Sequence, residues 1–298
     1  MPSNNSSSSF SGISVVIPTW RRPEQLGQVL ELLLGCTPPP DEILVHVDAG
    51  DVETIPMLEA CFSQQVLWHQ STVRRGPGGG RNLLIQQARF PLVASFDDDS
   101  WPLDQDFFRM AAELMQANPN AAVLSGQVTM RGQMAAEASD VVGEANCYES
   151  GACVLRREAF LQTGMYLPLR YAYGMEEADV ALQLLDAGWT ILKTHKLRVF
   201  HDSDLNHHAS PAINAAHITN TALLTFLRYP ISYWPLGAAQ VANRIRFALT
   251  VGRHRGVLAG VLGIPGVIRT YWQARKPVRT TTILRSRKLA RTNLTIAS

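Results

Sequence analysis

The alternation of strand-like and helix-like segments constrains the fold of this chain more than any other feature. Short β-branched runs, ISVVI (13–17) and EILVHV (42–47) among them, are separated by stretches with helical spacing such as PEQLGQVLELLL (23–34). Strands and helices that alternate in this way form a mainly parallel, Rossmann-like sheet that is flanked by helices. We therefore predict a doubly wound α/β fold.

The later segments extend this pattern and then change it. We predict further helices at 53–62, 80–88, 104–116 and 176–187, and strands at 66–68, 91–96, 121–128, 151–155 and 197–201. Beyond residue 211 the chain is helical and basic, with no predicted strand. We divide it into a disordered Ser-rich tail (1–11), an α/β domain (12–210) and a basic helical C-terminal region (211–298).

Three consecutive carboxylates, Asp97, Asp98 and Asp99, follow the apolar strand PLVASF (91–96). Like charges this close repel one another, so water, a cation or a basic partner must screen them. Open α/β sheets bind ligands at the carboxyl ends of their strands, and Mg²⁺ is held there by carboxylates together with substrate phosphates. The cluster therefore indicates either a metal–diphosphate site or a solvated turn that caps the next helix.

Residues at the ends of the first two strands are candidates for binding a nucleotide. Pro18, Thr19 and Arg21 lie in IPTWRRP (17–23), where backbone groups and the Thr19 hydroxyl can contact a ligand. A proline at this place also commonly ends a strand without any role in binding. Asp48 ends the second strand and can accept hydrogen bonds from a base or a ribose, or cap a turn.

The glycine-rich segment RRGPGGGRN (74–82) precedes a predicted helix. Glycines let a backbone approach a ligand closely, and the free N–H groups at a helix start favour anions. Arg81 would then reach a nucleobase or a phosphate as a rigid fork of donors. The segment matches neither the P-loop nor the dinucleotide-binding pattern, and a flexible surface loop is the alternative.

A second acidic site opens the predicted helix in YGMEEADVALQLLDAGW (173–189). Acids in a first turn are favoured by the helix dipole in any protein. Beside a phosphate-binding site, a carboxylate of Glu176 or Glu177 can also take a proton from an attacking hydroxyl. His201 ends a predicted strand, where it either completes the site begun by Asp99 or is a structural histidine.

The formal charge of +2 conceals two oppositely charged halves. Residues 1–204 carry 14 basic and 25 acidic side chains, whereas residues 205–298 carry 13 basic side chains and no acidic one. The basic half suggests a polyanion or an anionic membrane surface as partner. Alternatively, its arginines solvate helices packed on the α/β domain or form a contact in a homo-oligomer. We expect no nucleic-acid partner, because no recognition-helix pattern accompanies the charge.

Two features bear on the cellular compartment. The apolar segment GVLAGVLGIPGVI (256–268) is too short to span a bilayer and is more typical of an interfacial segment. The four cysteines form no CxxC pair and no secretory signal precedes them, which is typical of reduced thiols. We therefore expect a cytoplasmic protein, either freely soluble or peripheral on the cytoplasmic membrane face.

Taken in chain order, these segments resemble the inverting family 2 glycosyltransferases of the GT-A fold. The resemblance covers residues 12–230 and rests on SVVIPTWRRPEQL, VDAGD, GGGRN, FDDDSWP, GACVLRREAF and YGMEEADVALQLLDAGW. The tract HITNTALLTFLRYP (217–230) is similar to rhamnosyltransferase-like members that build cell-surface glycans. VDAGD departs from the commoner VDDGS, and Gly80 stands where alanine usually precedes Arg-Asn, so the recognised base stays open.

The resemblance implies a metal-dependent enzyme that moves a sugar from a UDP-, dTDP- or GDP-linked donor to a hydroxyl of a glycan, lipid-linked or small-molecule acceptor. Asp97 and Asp99 occupy the family's DxD positions, and the implied Mn²⁺ or Mg²⁺ is held by Asp99 and His201. Glu177 is the implied catalytic base. The implied nucleotide-binding residues are Pro18, Thr19, Arg21, Asp48, Arg81, Asp97 and Asp98, and those near the sugars are Trp101, Gly151 and Glu176.

Other functions stay open at this point. A sugar-phosphate nucleotidyltransferase would carry a Gly-rich, Lys-bearing loop after the first strand, which IPTWRRP lacks. A non-catalytic glycan-binding or scaffold protein on this fold would have lost the acids at 97–99 or 177, which are present here. The same chemistry on a protein acceptor is a further alternative. We expect loop 129–150 and the residues around Trp101 and Tyr171–Tyr173 to shape the acceptor pocket.

Overall fold

The computed structural model describes residues 12–135, 137–169, 171, 174–203 and 210–296, so the predicted N-terminal tail lies outside the described residues. The strands are β1 (Ile13–Thr19), β2 (Glu42–Val47), β3 (Leu67–Gln70), β4 (Leu92–Phe96), β5 (Ser100–Pro102), β6 (Ala121–Met130), β7 (Val142–Glu144), β8 (Ala152–Arg156) and β9 (Thr190–His201). The helices are α1 (Pro23–Leu34), α2 (Thr54–Cys61), α3 (Gly76–Gln87), α4 (Phe107–Ala117), α5 (Arg157–Leu161), α6 (Glu176–Asp186), α7 (Pro211–Arg228), α8 (Trp234–Thr250), α9 (Val257–Tyr271) and α10 (Thr280–Ile296).

These strands form one sheet in the order β3–β2–β1–β4–β8–β6–β9–β5, with β7 also paired to β9. The half made of β3, β2, β1 and β4 is parallel throughout. In the other half β8 runs antiparallel to both β4 and β6, whereas β6 and β9 are parallel. The predicted α/β class is confirmed, and the parallel half is the part in which strands and helices alternate.

A core lies on each face of the sheet. Val15 and Ile17 of β1 pack with side chains of α1, α2 and α4, whereas Val16 packs on the other face with α3, α5 and α6. Successive side chains of a strand point to opposite faces, so a strand covered on both sides is a continuous apolar run. This is why β1 and β2 could be predicted from the sequence.

The glycine-rich segment differs from its prediction. Helix α3 begins at Gly76 rather than near Gly80, so the glycines belong to its first turns. A Cβ atom on Gly80 would lie 2.5 Å from His46 Nδ1, and one on Gly78 would lie 1.6 Å from Glu176 Oε1. Gly80 and Gly78 therefore allow α3 to pack closely on β2 and on α6, whereas Gly76 at the start of the helix lines a cleft.

Two further differences concern strands. β9 begins at Thr190 rather than at 197, because its first residues pair with β6 and β7. β5 and β7 have three residues each, which is too short for an alternating pattern to show in a sequence.

The C-terminal helices pack against the α/β domain. Buried Arg228 of α7 forms a two-pronged ion pair with buried Asp179 of α6. Arg279 contacts Asp186 at the end of α6. Residues 210–296 contain no strand, as predicted. Among the described residues, no helix combines the length and hydropathy needed to cross a bilayer.

Candidate active site

A cleft of about 1060 Å³ opens at the carboxyl ends of β1, β2 and β4. This is the edge at which open α/β sheets place their ligands. The predicted site residues that line the cleft are Pro18, Thr19, Asp48, Asp97, Asp98, Asp99, Gly151, Glu177 and His201. The predicted residues outside its lining are Arg21, Arg81, Trp101 and Glu176.

Asp97, Asp99 and His201 converge in this cleft. Nε2 of His201 lies 3.1 Å from Asp99 Oδ1 and 3.8 Å from Asp97 Oδ2. One donor atom from each of the three residues lies within 4.8 Å of the others. Residues so distant in sequence meet because β5 pairs with β9, which places Ser100 opposite His201. Two carboxylates and an imidazole are suitable ligands for a divalent cation such as Mn²⁺, so the residues present fit the predicted metal.

Burial and neighbouring charges shift the pKa values of His201 and Asp98 in this cleft. Burial by itself would lower the pKa of His201, but its hydrogen bond to Asp99 and the charges of Asp97 and Glu149 outweigh burial, and the pKa is raised. Asp98 is more buried and accepts a hydrogen bond of 2.8 Å from the Thr19 hydroxyl. Burial raises the pKa of Asp98 to about 6, against the opposing effects of Arg22 and Thr19.

Arg22 lies in the cleft, whereas the predicted Arg21 does not. Nη1 of Arg22 donates to Asp98 at 3.0 Å and to Asp99 at 2.8 Å. The Arg21 side chain instead donates to the Gly50 carbonyl, at 3.1 Å from Nε and 3.0 Å from Nη2. The motif IPTWRRP indicated an arginine at this place, but two adjacent arginines carry no signal for which of them turns inward.

Arg81 forms an ion pair with Asp97, the first of the three consecutive carboxylates, on the side away from the cleft. Its guanidinium is buried, pairs with Asp97 and donates from Nε to Ser95 Oγ at 3.0 Å. Gly151 faces the same carboxylate, because a Cβ atom there would lie 2.0 Å from Asp97 Oδ2. The structure therefore places Arg81 against Asp97, at a position where we had expected contact with a nucleotide.

Asp48 lines the cleft but its carboxylate is engaged by backbone groups. Oδ1 accepts from the N–H groups of Ala49 and Arg75, and Oδ2 accepts from that of Gly76, all at 2.9 Å. Asp48 thus caps the start of α3, which is the turn-capping alternative of the sequence analysis.

Glu177 is held toward the cleft by a residue that the sequence indicated only as the last one of loop 129–150. Its Oε1 accepts a hydrogen bond of 2.7 Å from the Ser150 hydroxyl, and both residues line the cleft. Ser150 lies in the turn before β8, and its carbonyl accepts from Ser95 of β4 at 2.6 Å. No sequence motif predicts that this serine donates a hydrogen bond to Glu177, because only the fold brings that turn to the start of α6.

The neighbouring acid, Glu176, is buried and faces away from the cleft. Its Oε1 has no hydrogen-bond partner among the described residues. Burial, and then the charge of Glu177, raise the pKa of Glu176 to about 8, although Arg81 opposes them.

Two predictions about the sugar-binding region have different outcomes. Trp101 packs against Phe200 of β9, with ring centroids 5.0 Å apart, and belongs to the sheet packing rather than to the cleft. Tyr171 is described and partly exposed, whereas Ala172 and Tyr173 lie outside the described residues. Loop 129–150, predicted to shape the acceptor pocket, contributes Met130, Arg131, Glu149 and Ser150 to the lining of the cleft. Cleft residues that the sequence analysis did not assign a role include Trp20, Arg22, Arg74 and Asp202.

Comparison with known proteins gives a match to one family model over part of the chain, and a fold. Residues 14–138 match the model of "Glycosyl transferase family 2". No curated protein sequence matches the chain. The structure of GalNAc-T7 with UDP, GalNAc and Mn²⁺ has a TM-score of 0.61 and 12% identity, over 75% of this chain and 49% of that chain, so this chain spans about half its length.

Two microbial structures are similar to a comparable degree. The mannosyltransferase PcManGT from Pyrobaculum calidifontis, in complex with GDP-Man and Mn²⁺, has a TM-score of 0.60 and 13% identity, over 95% of this chain and 85% of that chain. S. aureus TarS 1-349, in complex with UDP-GlcNAc, has a TM-score of 0.60 and 15% identity, over 78% of this chain and 72% of that chain. The chain has the GT-A fold, and its residues 14–138 match the model of glycosyl transferase family 2.

Proposed function

We propose that the protein transfers a sugar, with inversion, from a nucleotide-diphosphate donor to a hydroxyl group of an acceptor. The observation that carries this proposal is that a carboxylate–imidazole cluster and Glu177 line one cleft at the carboxyl edge of the sheet. The family match and the neighbours that bind UDP- or GDP-linked sugars support the same class of reaction.

The donor would occupy the side of the cleft formed by the ends of β1 and β2. Arg22 and Arg74 line this side and supply the cations that a diphosphate requires. Trp20 is 37% exposed there, and the Arg74 guanidinium lies 4.2 Å from its ring centroid. A flat surface of this kind suits a nucleobase, which stacks on aromatic rings and guanidinium planes. UDP, dTDP and GDP are all compatible with it.

Asp97, Asp99 and His201 would hold the divalent cation. Carboxylates suit both Mg²⁺ and Mn²⁺, and the imidazole favours Mn²⁺ of the two. When bound, the cation supplies Lewis-acid stabilisation of the charge that grows on the leaving diphosphate. Arg81 keeps Asp97 in position through the buried ion pair.

Glu177 would act as the general base. Ser150 fixes one of its oxygens, which leaves the other free to accept the proton of the acceptor hydroxyl. As that oxygen attacks the anomeric carbon, the bond to the diphosphate breaks on the opposite face, through an oxocarbenium-like state. A single displacement of this kind inverts the configuration of the sugar. We place the reaction in the synthesis of cell-surface glycans or glycoconjugates.

A thermal-shift panel tests the donor site directly. UDP, dTDP, GDP and CMP are each added with and without Mn²⁺ to the wild type, to Asp99→Ala and to Asp140→Ala, whose carboxylate is on the surface. A ligand at 100 times its Kd adds about 2.7 kcal/mol of stability, so binding should be visible. We expect one diphosphate to stabilise the wild type and Asp140→Ala only with the metal, and to have no effect on Asp99→Ala. A folded wild type that responds to no nucleotide would favour a glycan-binding protein instead.

A further inference from the structure

We propose that an exposed apolar stripe on α9 docks the protein on the surface of an anionic lipid bilayer. The stripe consists of Leu258, Val261, Leu262, Pro265 and, one residue past the helix, Trp272. Leu258, Leu262 and Trp272 are 70%, 69% and 60% exposed. Positions three and four apart share one side of a helix, so Leu258, Val261, Leu262 and Pro265 form a continuous apolar face. Arg269 follows on the same side and separates this face from Trp272. This inference goes beyond the proposed function and does not depend on it.

The opposite face of α9 explains why the helix keeps this orientation. Gly256, Gly260 and Gly263 follow one another at helical spacing along that face. Cβ atoms on them would lie 2.1 Å from Pro211 O, 2.9 Å from Ala215 O and 3.0 Å from Thr219 Cγ2 of α7, respectively. The glycines therefore seat α9 tightly against α7, which leaves the stripe on the far side. The helix is apolar on both sides, although the described residues cover only one of them.

Charge selects the kind of partner that would cover the exposed side. Arg255 precedes α9 and Arg269 lies in its last turn, and both are exposed. The whole region from 205 to 298 carries 13 basic side chains and no acidic one. An apolar helix face flanked by arginines, with a tryptophan at one end, is suited to the boundary between lipid headgroups and acyl chains. A second copy of the chain fits less well, because a symmetric contact would bring two basic regions together.

The stripe begins close to the proposed active site. Gly256 packs on Pro211, and Ile213, two residues further along α7, lines the cleft. A bilayer that covers the outer side of α9 would therefore be separated only by α9 from α7, the helix whose first turn reaches the cleft. That arrangement suits an acceptor carried in the membrane.

Vesicle co-sedimentation of the full chain tests the proposal. The probes are vesicles of phosphatidylcholine alone and of phosphatidylcholine mixed with phosphatidylglycerol. The test variant is Leu258→Glu with Leu262→Glu, and the matched control is Val52→Glu, which replaces a 76% exposed apolar side chain of the α/β domain. We expect the wild type and the control to bind anionic vesicles, and the double variant to bind them about a hundredfold more weakly. Salt at about 1 M, which screens charges within about 3 Å, should weaken wild-type binding.

Several results would overturn the proposal. They are no wild-type binding to anionic vesicles, equal binding to the neutral ones, or full binding by the double variant. A wild-type dimer in solution that the double variant abolishes would assign the stripe to a second copy. The nucleotide-induced thermal shift should be the same in the double variant as in the wild type, which shows that the variant is folded. If no protein responds to nucleotide but vesicle binding persists, the proposed function fails and this inference stands.

Discussion

At the scale of single residues, transfer should depend most on Glu177, because it is the cleft carboxylate that Ser150 orients. Glu177→Gln keeps the size and the hydrogen bond but removes the base. Loss of a general base typically costs about 10²–10⁴-fold in rate, whereas the affinity for the donor nucleotide should stay unchanged. Initial rates of transfer and the nucleotide Kd measure the two effects separately. Glu113→Gln, on the exposed surface of α4, is the control, and near-normal turnover of Glu177→Gln would remove Glu177 from this role.

The raised pKa of Glu176, one residue away, should make the stability of the protein depend on pH. Its pKa is about 8 in the folded protein, where Arg81, Glu177 and Asp97 are the charges around it. An unfolded chain has a glutamate pKa of about 4.3, so the folded state holds a proton that the unfolded state releases between these values. This carboxyl therefore makes its full contribution to stability below about pH 4, and the contribution is lost as the pH rises toward about 8.

Glu176→Gln is neutral at every pH and escapes that loss. The melting temperature of the variant, relative to the wild type, should therefore rise from about pH 5 to about pH 9. Thermal unfolding across this range, with Glu113→Gln as control, measures the difference. A difference that does not change with pH would show that Glu176 is ionised in the folded protein.

At the scale of elements, two glycines within helices should respond in opposite ways to the same substitution. In α1 a Cβ atom on Gly27 would meet only Met57 Sδ, at 3.9 Å, whereas on Gly80 of α3 it would lie 2.5 Å from His46 Nδ1. His46 cannot easily yield, because it is buried and its Nε2 lies 2.7 Å from the Ser71 hydroxyl. Gly27→Ala should stabilise by up to about 1 kcal/mol through helix propensity.

Gly80→Ala should instead destabilise, by about 1–3 kcal/mol, because it overpacks a buried contact. Urea unfolding of both variants gives the two free energies. Stabilisation by Gly80→Ala would mean that α3 can move away from β2, and that its glycines are not required for close packing.

The same helix shows what can be predicted from sequence. The bounds of α1 and β2 follow from apolar periodicity, which depends only on local spacing. The glycines of α3 were predicted to meet a ligand, because a run of glycines is expected both where a backbone approaches a ligand and where a helix packs closely on its neighbours. Gly80 meets His46 and Gly78 meets Glu176, whereas Gly76 lines the cleft, and this division is decided by tertiary contacts that no local pattern contains.

At the scale of the whole molecule, the candidate site is assembled from two parts of the chain. The family match ends at residue 138, but Glu177 and His201 lie beyond it. The acids at 97–99 could be predicted because they directly follow an apolar strand, within the matched segment. Ser150 and the choice of Arg22 over Arg21 could not, since each depends on how distant elements meet. The site is therefore as much a property of the complete fold as of its motifs.

The last prediction concerns the link between the C-terminal helices and the helix that begins with Glu176 and Glu177. Arg228 of α7 and Asp179 of α6 are both buried, and Arg228 also donates to the carbonyls of Ala274 and Lys276 at 3.3 Å. Removing one partner of a buried ion pair leaves an uncompensated charge, at a cost of about 3–5 kcal/mol. Arg228→Met and Asp179→Leu should each destabilise by that amount in urea unfolding. The double variant should recover much of the loss, because it leaves no charge behind.

The matched control is Arg279→Met, which breaks the more exposed pair with Asp186 and should cost about 1 kcal/mol or less. We expect each variant to unfold in a single transition, since the apolar cluster of Leu182, Tyr229, Val278 and Ile283 still joins the C-terminal helices to α6 as one cooperative unit. If Arg228→Met instead unfolds in two steps, with the nucleotide-induced thermal shift unchanged, residues 211–298 fold as a separate domain. Additive losses in the double variant would show that the two side chains act independently. A recovered double variant that also regains nucleotide binding would establish that the C-terminal region supports the active site through this contact.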